Sequence, residues 1–184
     1  MLTREKSIQG VLFSSEEIQT RVRDLGQQIS TDYANLENPL ILIGILNGSF
    51  VLCADLMRQI TIPVEIHFMS VSSYGSGTES TGIVRIDKDL RVDITGRDVL
   101  IVEDIVDTGL TLSYLRELFA DRQPKSLEIC AFLDKPETRQ KPVEVRYIGF
   151  SIPNEFVVGY GLDYNHYFRE LPYIAILKSE VYQG

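Results

Sequence analysis

Four consecutive apolar residues, Val99-Leu100-Ile101-Val102, run without a polar interruption into the carboxylates of Glu103 and Asp104. Side chains alternate across a strand, so an unbroken apolar run needs apolar cover on both faces. A parallel sheet with helices on each side supplies it. Ile105-Val106-Asp107-Thr108-Gly109-Leu110-Thr111 follows, and then a helical pattern turns Leu112, Leu115, Leu118 and Phe119 inward. The acidic pair is therefore expected at the carboxyl end of a buried strand, where open α/β sheets hold ligands. Gly109 permits close backbone approach, two threonine hydroxyls stand beside it, and a helix N-terminus favours an anion. Carboxylates for hydroxyls beside a cradle for phosphate suit a phosphorylated sugar.

The rest of the chain repeats the strand–helix alternation. Ser14 or Ser15, with Glu16 and Glu17, reads as a helix start, and Ile18, Val22, Leu25 and Ile29 recur at helical spacing. Residues 40–46 form a second buried strand candidate, closed by Asn47-Gly48-Ser49 and followed by a helix over 50–60. Residues 63–74 read as a strand with Val64, Ile66, Phe68 and, less regularly, Val71 on one side. Residues 75–82 are rich in Gly, Ser and Thr and read as a mobile loop, with a returning strand at 83–86. Further strands are expected at 126–133, 143–150 and 173–177. The alternation predicts one domain. Its doubly wound, mainly parallel sheet (about 15–150) is flanked by helices, under a small hood formed by residues 151–184.

A length of 184 residues suits one such domain, and the net charge of −8 argues against a nucleic-acid-binding face. No apolar run reaches the length of a membrane span, and the first ten residues lack a signal core, so a cytoplasmic protein is expected. Cys53 and Cys130 sit in apolar surroundings without metal-like spacing and read as buried free thiols.

Blander readings exist for each candidate residue. Asp107-Thr108-Gly109 also matches an aspartic-protease triplet, but those enzymes need two facing copies and the chain carries one. A helix cap explains one Asp or Thr, not three carboxylates around a glycine turn. Taken singly, Lys135 and Arg169 read as surface charges, Asp163 as a turn residue, and Phe156 and Val157 as core.

Taken together, these segments resemble the type I phosphoribosyltransferase family, and within it the bacterial hypoxanthine-guanine branch, over nearly the whole chain. The stretches that carry the resemblance are 44–50, 73–78, 99–111, 133–136 and 156–165, in that order, with Arg169 following at the family's spacing. The resemblance implies transfer of 5-phosphoribosyl from phosphoribosyl pyrophosphate to N9 of hypoxanthine or guanine, with Mg²⁺, by a homodimer or homotetramer. Glu103 and Asp104 would hold the ribose hydroxyls. Residues Ile105, Val106, Asp107, Thr108, Gly109 and Thr111 would wrap the 5′-phosphate, with Asp107 as general base near purine N7. Asn47, Gly48, Ser49 and Arg169 would bind pyrophosphate. Lys135 would face the purine 6-oxo group, Phe156 would stack on the base, Val157 would read its edge, and Asp163 would border the purine and hold metal with Glu103 and Asp104. Ser73 and Tyr74 would begin a flexible catalytic lid. Asn47 departs from the family, which usually carries lysine there. A regulator of the same fold that senses phosphoribosyl pyrophosphate, or a xanthine-preferring relative, stands as the alternative.

Overall fold

The computed structural model describes residues 2–73 and 84–182. In chain order the elements are α1 (Arg4–Ser7), β1 (Ile8–Phe13), α2 (Ser15–Asp32), β2 (Leu40–Leu46), α3 (Phe50–Gln59), β3 (Val64–Ser73) and β4 (Val84–Lys88). They continue with β5 (Asp98–Val106), α4 (Leu110–Ala120), β6 (Ser126–Asp134), β7 (Tyr147–Ser151), β8 (Val157–Val158), β9 (Ile174–Leu177) and α5 (Ser179–Tyr182). Six strands form one sheet in the order β4-β3-β2-β5-β6-β7. All neighbours are parallel except β4, which returns antiparallel beside β3.

The apolar runs divide by parity, as two-sided burial requires. Leu40, Leu42, Leu100, Val102, Cys130 and Phe132 pack on one face with Ile18, Val22, Leu25 and Ile29 of α2 and Leu52 and Leu56 of α3. Ile41, Ile43, Val99, Ile101, Ile129 and Ala131 pack on the other face with Leu112, Leu115 and Phe119 of α4. Val71 follows the same rule. It joins Met69 on the α4 face, opposite Val64, Ile66 and Phe68, rather than sharing their side. The α2 start is a capping box: Ser14 Oγ accepts from the Glu17 amide, and Glu17 accepts from the Ser14 amide.

From β2 the chain steps outward to β3, and β5 then returns to the other flank of β2. The β2–β5 seam is thus the topological switch point, and a crevice opens beyond its carboxyl end. Two differences from the sequence expectation stand out. The strand expected from residue 143 starts only at Tyr147, and Val143 and Val145 pack against the α4-side core without strand pairing. The hood sheet, ordered β1-β9-β8, takes a strand from the other end of the chain as well as from residues 151–184. Cys53 and Cys130 are buried free thiols, pushed up to about 12 by burial. Among the described residues no helix is long and apolar enough to cross a membrane.

Candidate active site

Strand β5 continues past the acidic pair to Val106, so Glu103 and Asp104 lie inside the strand and alternation sends them to opposite faces. Glu103 turns toward α4. It is buried and lines a cavity of about 90 Å³ together with Ile105, Val106, Asp107, Thr108, Gly109, Thr111 and Leu112. Asp104 turns toward α3 and lies against Gly48, where a Cβ would stand 1.4 Å from Asp104 Oδ2. Its other oxygen accepts from the Ile105 amide at 2.7 Å. Burial pushes the Glu103 carboxyl well above the usual carboxylate range, and the neighbouring Asp104 charge adds to the effect. Burial also raises Asp104 to about 6, while amide hydrogen bonds and the Arg169 charge pull the other way.

The turn after β5 is braced from behind. Gly109 precedes α4 with φ +79°, a left-handed conformation that favours glycine, and a Cβ there would lie 2.5 Å from the Lys141 carbonyl. The Thr108 carbonyl accepts from the Gln140 and Lys141 amides at 2.9 and 3.1 Å. Arg139, ion-paired with Asp134, lies under Gly109. Gly109 offers no capping side chain, and among the first amides of α4 only that of Leu110 meets one, a long 3.5 Å hydrogen bond to Thr108 Oγ1, so this helix start can receive an anion.

A second cavity of about 170 Å³ adjoins the first, lined by Ile105, Asp107, Lys135, Phe156, Val157, Leu162 and Asp163. Ile105 and Asp107 border both cavities. Lys135 is 7% exposed, with Nζ 4.0 Å from Asp107 Oδ2. Its amide donates to the Val106 carbonyl at 2.9 Å, which places it at the site rather than on the surface. Burial lowers the Lys135 ammonium below its ordinary range, and the Asp107 and Glu155 carboxylates offset part of that.

Asn47-Gly48-Ser49 joins β2 to α3 after a cis peptide between Leu46 and Asn47. Asn47 is exposed and Gly48 buried. Ser49 is buried, and its hydroxyl donates inward to the Ile45 carbonyl at 2.6 Å, so only its backbone is left for a ligand. Gly161, with φ +101°, rests on this loop: a Cβ there would lie 2.1 Å from the Gly48 carbonyl oxygen. Arg169 reaches the same place, donating to the Gly161 carbonyl at 2.6 Å and pairing with Asp163 Oδ1 at 2.8 Å. Asp163 Oδ2 accepts from the His166 amide at 2.7 Å.

Two supporting residues escaped the sequence reading, Arg139 and Tyr160. The Tyr160 hydroxyl donates to Asp55 of α3 at 2.7 Å and ties the hood loop to the helix that follows the Gly48 loop. Its position between Gly159 and Gly161 was the available signal. Ser73 ends β3, whereas Tyr74 and the expected lid through Gly82 lie outside the described residues.

Among the described residues no three His, Cys, Asp or Glu side chains group to hold a metal by themselves. Magnesium is ordinarily held by one or two carboxylates plus waters and substrate phosphates. Glu103 Oε2 is buried without a hydrogen-bond partner among the described residues, and the Asp104 carboxyl is raised by burial. Glu103 meets no cationic side chain among the described residues and Asp104 only the charge of Arg169, so the pair fits a cation brought in with an anionic substrate.

The model of the phosphoribosyl transferase domain matches residues 12–165. The hypoxanthine-guanine phosphoribosyltransferase of Mycobacterium tuberculosis is 52% identical over 180 residues, covering 96% of this chain and 89% of that protein. The hypoxanthine phosphoribosyltransferase of Salmonella typhimurium is 52% identical over 165 residues, covering 90% and 93%. The crystal structure of a hypoxanthine phosphoribosyltransferase from Staphylococcus aureus superposes with a TM-score of 0.92 at 48% identity, covering 98% and 97%.

Proposed function

The chain belongs to the phosphoribosyltransferase family, and we propose that it serves purine salvage by joining the 5-phosphoribosyl group of phosphoribosyl pyrophosphate to N9 of hypoxanthine or guanine. The products are IMP or GMP and pyrophosphate. The observation that carries this reading is the position of Asp107 on the wall between two cavities, one ringed by the phosphate turn and the other by Lys135 and Phe156.

In this reading the 107–111 turn holds the 5′-phosphate, and Glu103 and Asp104 border the ribose. The Gly48 and Ser49 backbone and Arg169 receive the pyrophosphate. The purine enters the second cavity. Phe156 stacks on it, the Val157 backbone meets its edge, and the Lys135 ammonium donates to the 6-oxo group. An amino group at that position offers no acceptor to an ammonium, so adenine is rejected. As N9 attacks the anomeric carbon, the bond from that carbon to pyrophosphate breaks, and Asp107 accepts the proton that the purine sheds at N7. Glu103, Asp104 and Asp163 with substrate oxygens would hold Mg²⁺, which would supply positive charge to the pyrophosphate leaving group. The same reading carries a homodimer or homotetramer, which sedimentation would count.

The test is nucleotide formation with magnesium, phosphoribosyl pyrophosphate and a panel of hypoxanthine, guanine, xanthine, adenine and uracil. Turnover of hypoxanthine or guanine without adenine or uracil is expected. No turnover with any of the five would replace the enzyme by a sensor of phosphoribosyl pyrophosphate.

A further inference from the structure

Phe156 does not stand alone at the second cavity. Its ring stacks on Tyr182 with centroids 4.9 Å apart and planes 24° apart, and it meets Tyr164 edge-on at 5.7 Å and 87°. The Tyr164 hydroxyl donates to the Val181 carbonyl at 2.8 Å, which pins α5 beside the stack. The Leu177 amide donates to the Phe156 carbonyl at 2.8 Å, so the strand leading into α5 is tied to the same residue. A helix of four residues has little stability of its own. These contacts, and packing against the hood core, hold it in place. The cavity lining includes Phe156 and not Tyr182.

We propose that Tyr182 is a positioning residue for base recognition: it covers the face of Phe156 turned away from the cavity and fixes the plane on which a flat purine stacks. The proposal rests on the reading of that cavity as the purine site. A phenylalanine ring has a soft terminal torsion, and an open-sided cavity leaves it free to turn. With Tyr182 stacked behind it and Tyr164 against its edge, the ring is ordered before the base arrives, so binding does not bear the cost of ordering it. The ring of Tyr182 carries this role. Its hydroxyl does not, because a stack needs only the π-face.

Steady-state kinetics on Tyr182→Ala, Tyr182→Leu, Tyr182→Phe and Phe156→Ala, with melting temperatures alongside, test it. Tyr182→Ala and Tyr182→Leu should raise the KM for hypoxanthine about 3–10-fold, the size of one lost aromatic pair. The KM for phosphoribosyl pyrophosphate should stay within about twofold, since one ring pair is lost and no phosphate contact is touched. Tyr182→Phe should match the parent. Phe156→Ala should raise the hypoxanthine KM further, and adding Tyr182→Ala to it should change nothing more. A parent-like or lowered hypoxanthine KM in Tyr182→Leu, equal rises in both KM values, or failure of Tyr182→Phe to match the parent would overturn the proposal while Phe156→Ala still shows its effect. An unchanged hypoxanthine KM in Phe156→Ala would instead remove the base-site reading on which the proposal stands.

Discussion

Gly48 lies directly on the carboxylate of Asp104: a Cβ at position 48 would stand 1.4 Å from Asp104 Oδ2 and 2.4 Å from Cγ. The contact joins the loop after β2 to the acid near the end of β5, and Gly161 presses on the same loop from the hood. Neither neighbour can yield without moving a site residue. Gly48→Ala should therefore cut kcat/KM for phosphoribosyl pyrophosphate by about a hundredfold, the scale of an ångström-sized misplacement. A variant with parental kinetics would show that the loop relaxes without cost.

Asp107 borders both cavities, and in the proposed reaction only the chemical step needs it as a base. Asp107→Asn keeps the shape and removes the proton acceptor. Nucleotide formation should slow by about 10²–10⁴-fold. Calorimetric binding of phosphoribosyl pyrophosphate should change less than about threefold, because the turn amides stay in place. Equal turnover by the variant would end the base assignment.

Lys135 is buried 4.0 Å from Asp107 and lines the second cavity, where the proposed reading sets the purine 6-oxo group. A hydrogen bond to a charged group contributes about 1.5–3 kcal/mol, so Lys135→Ala should raise the hypoxanthine KM by about 10–100-fold. The preference over adenine should narrow by a similar factor. Unchanged hypoxanthine kinetics would take Lys135 out of the base pocket.

Asn47 is exposed at the mouth of the Gly48 loop. Asn47→Lys adds one cation beside the place assigned to pyrophosphate. Solvent screens an exposed charge, so product inhibition by pyrophosphate should tighten only about 3–10-fold. An unchanged inhibition constant would mean that the loop works through its backbone alone.

The acidic pair also sets a pH dependence opposite to that of most carboxylates. Asp104 is raised by burial to about 6 and Glu103 moves in the same direction. An unfolded Asp titrates near 4. Between those values the folded protein holds a proton that the unfolded chain has lost, so stability falls as pH rises through the window. Carboxylates held low by partners, such as Glu65 by Arg97, lose their contribution only further down the scale. In the presence of a chelator the melting temperature should be about 3–6 °C higher at pH 5 than at pH 7.5, at the 2–4 °C per kcal/mol expected for this size. Asp104→Asn should flatten the difference, and a parental pH slope in that variant would assign the effect elsewhere.

The elements that alternate by the rules of a two-faced sheet were legible before any coordinates. Leu40–Leu46 and the Val99–Val102 run are unbroken and apolar, and only central parallel strands accommodate them. Ile8–Phe13 was not legible. It is a strand without a fully buried residue whose partner, β9, lies far along the chain, so nothing local marks it. The acidic pair was legible as residues and not as geometry: it was expected as a unit at the carboxyl end of the strand, whereas strand alternation sends Glu103 and Asp104 to opposite faces of the sheet. Lys135 carried no local signal beyond the family's spacing, because it meets Asp107 from a distant part of the chain, and Arg169 carried none because its partners Gly161 and Asp163 lie on the same irregular segment, where no period marks them.

The pairing of β1 with β9, from Ile8 opposite Leu177 to Phe13 opposite Ile174, has a consequence for the order of assembly. β2 with β3 and β5 with β6 pair across much shorter stretches of chain and can form early. The hood sheet must close the chain from Ile8 to Leu177 into one loop, which is slow. A nascent chain leaving the ribosome meets the partners of its phosphate turn well before β9 is made. Synthesis therefore completes the 107–111 turn first, and the hood residues Phe156, Val157 and Arg169, which border the rest of the site, last.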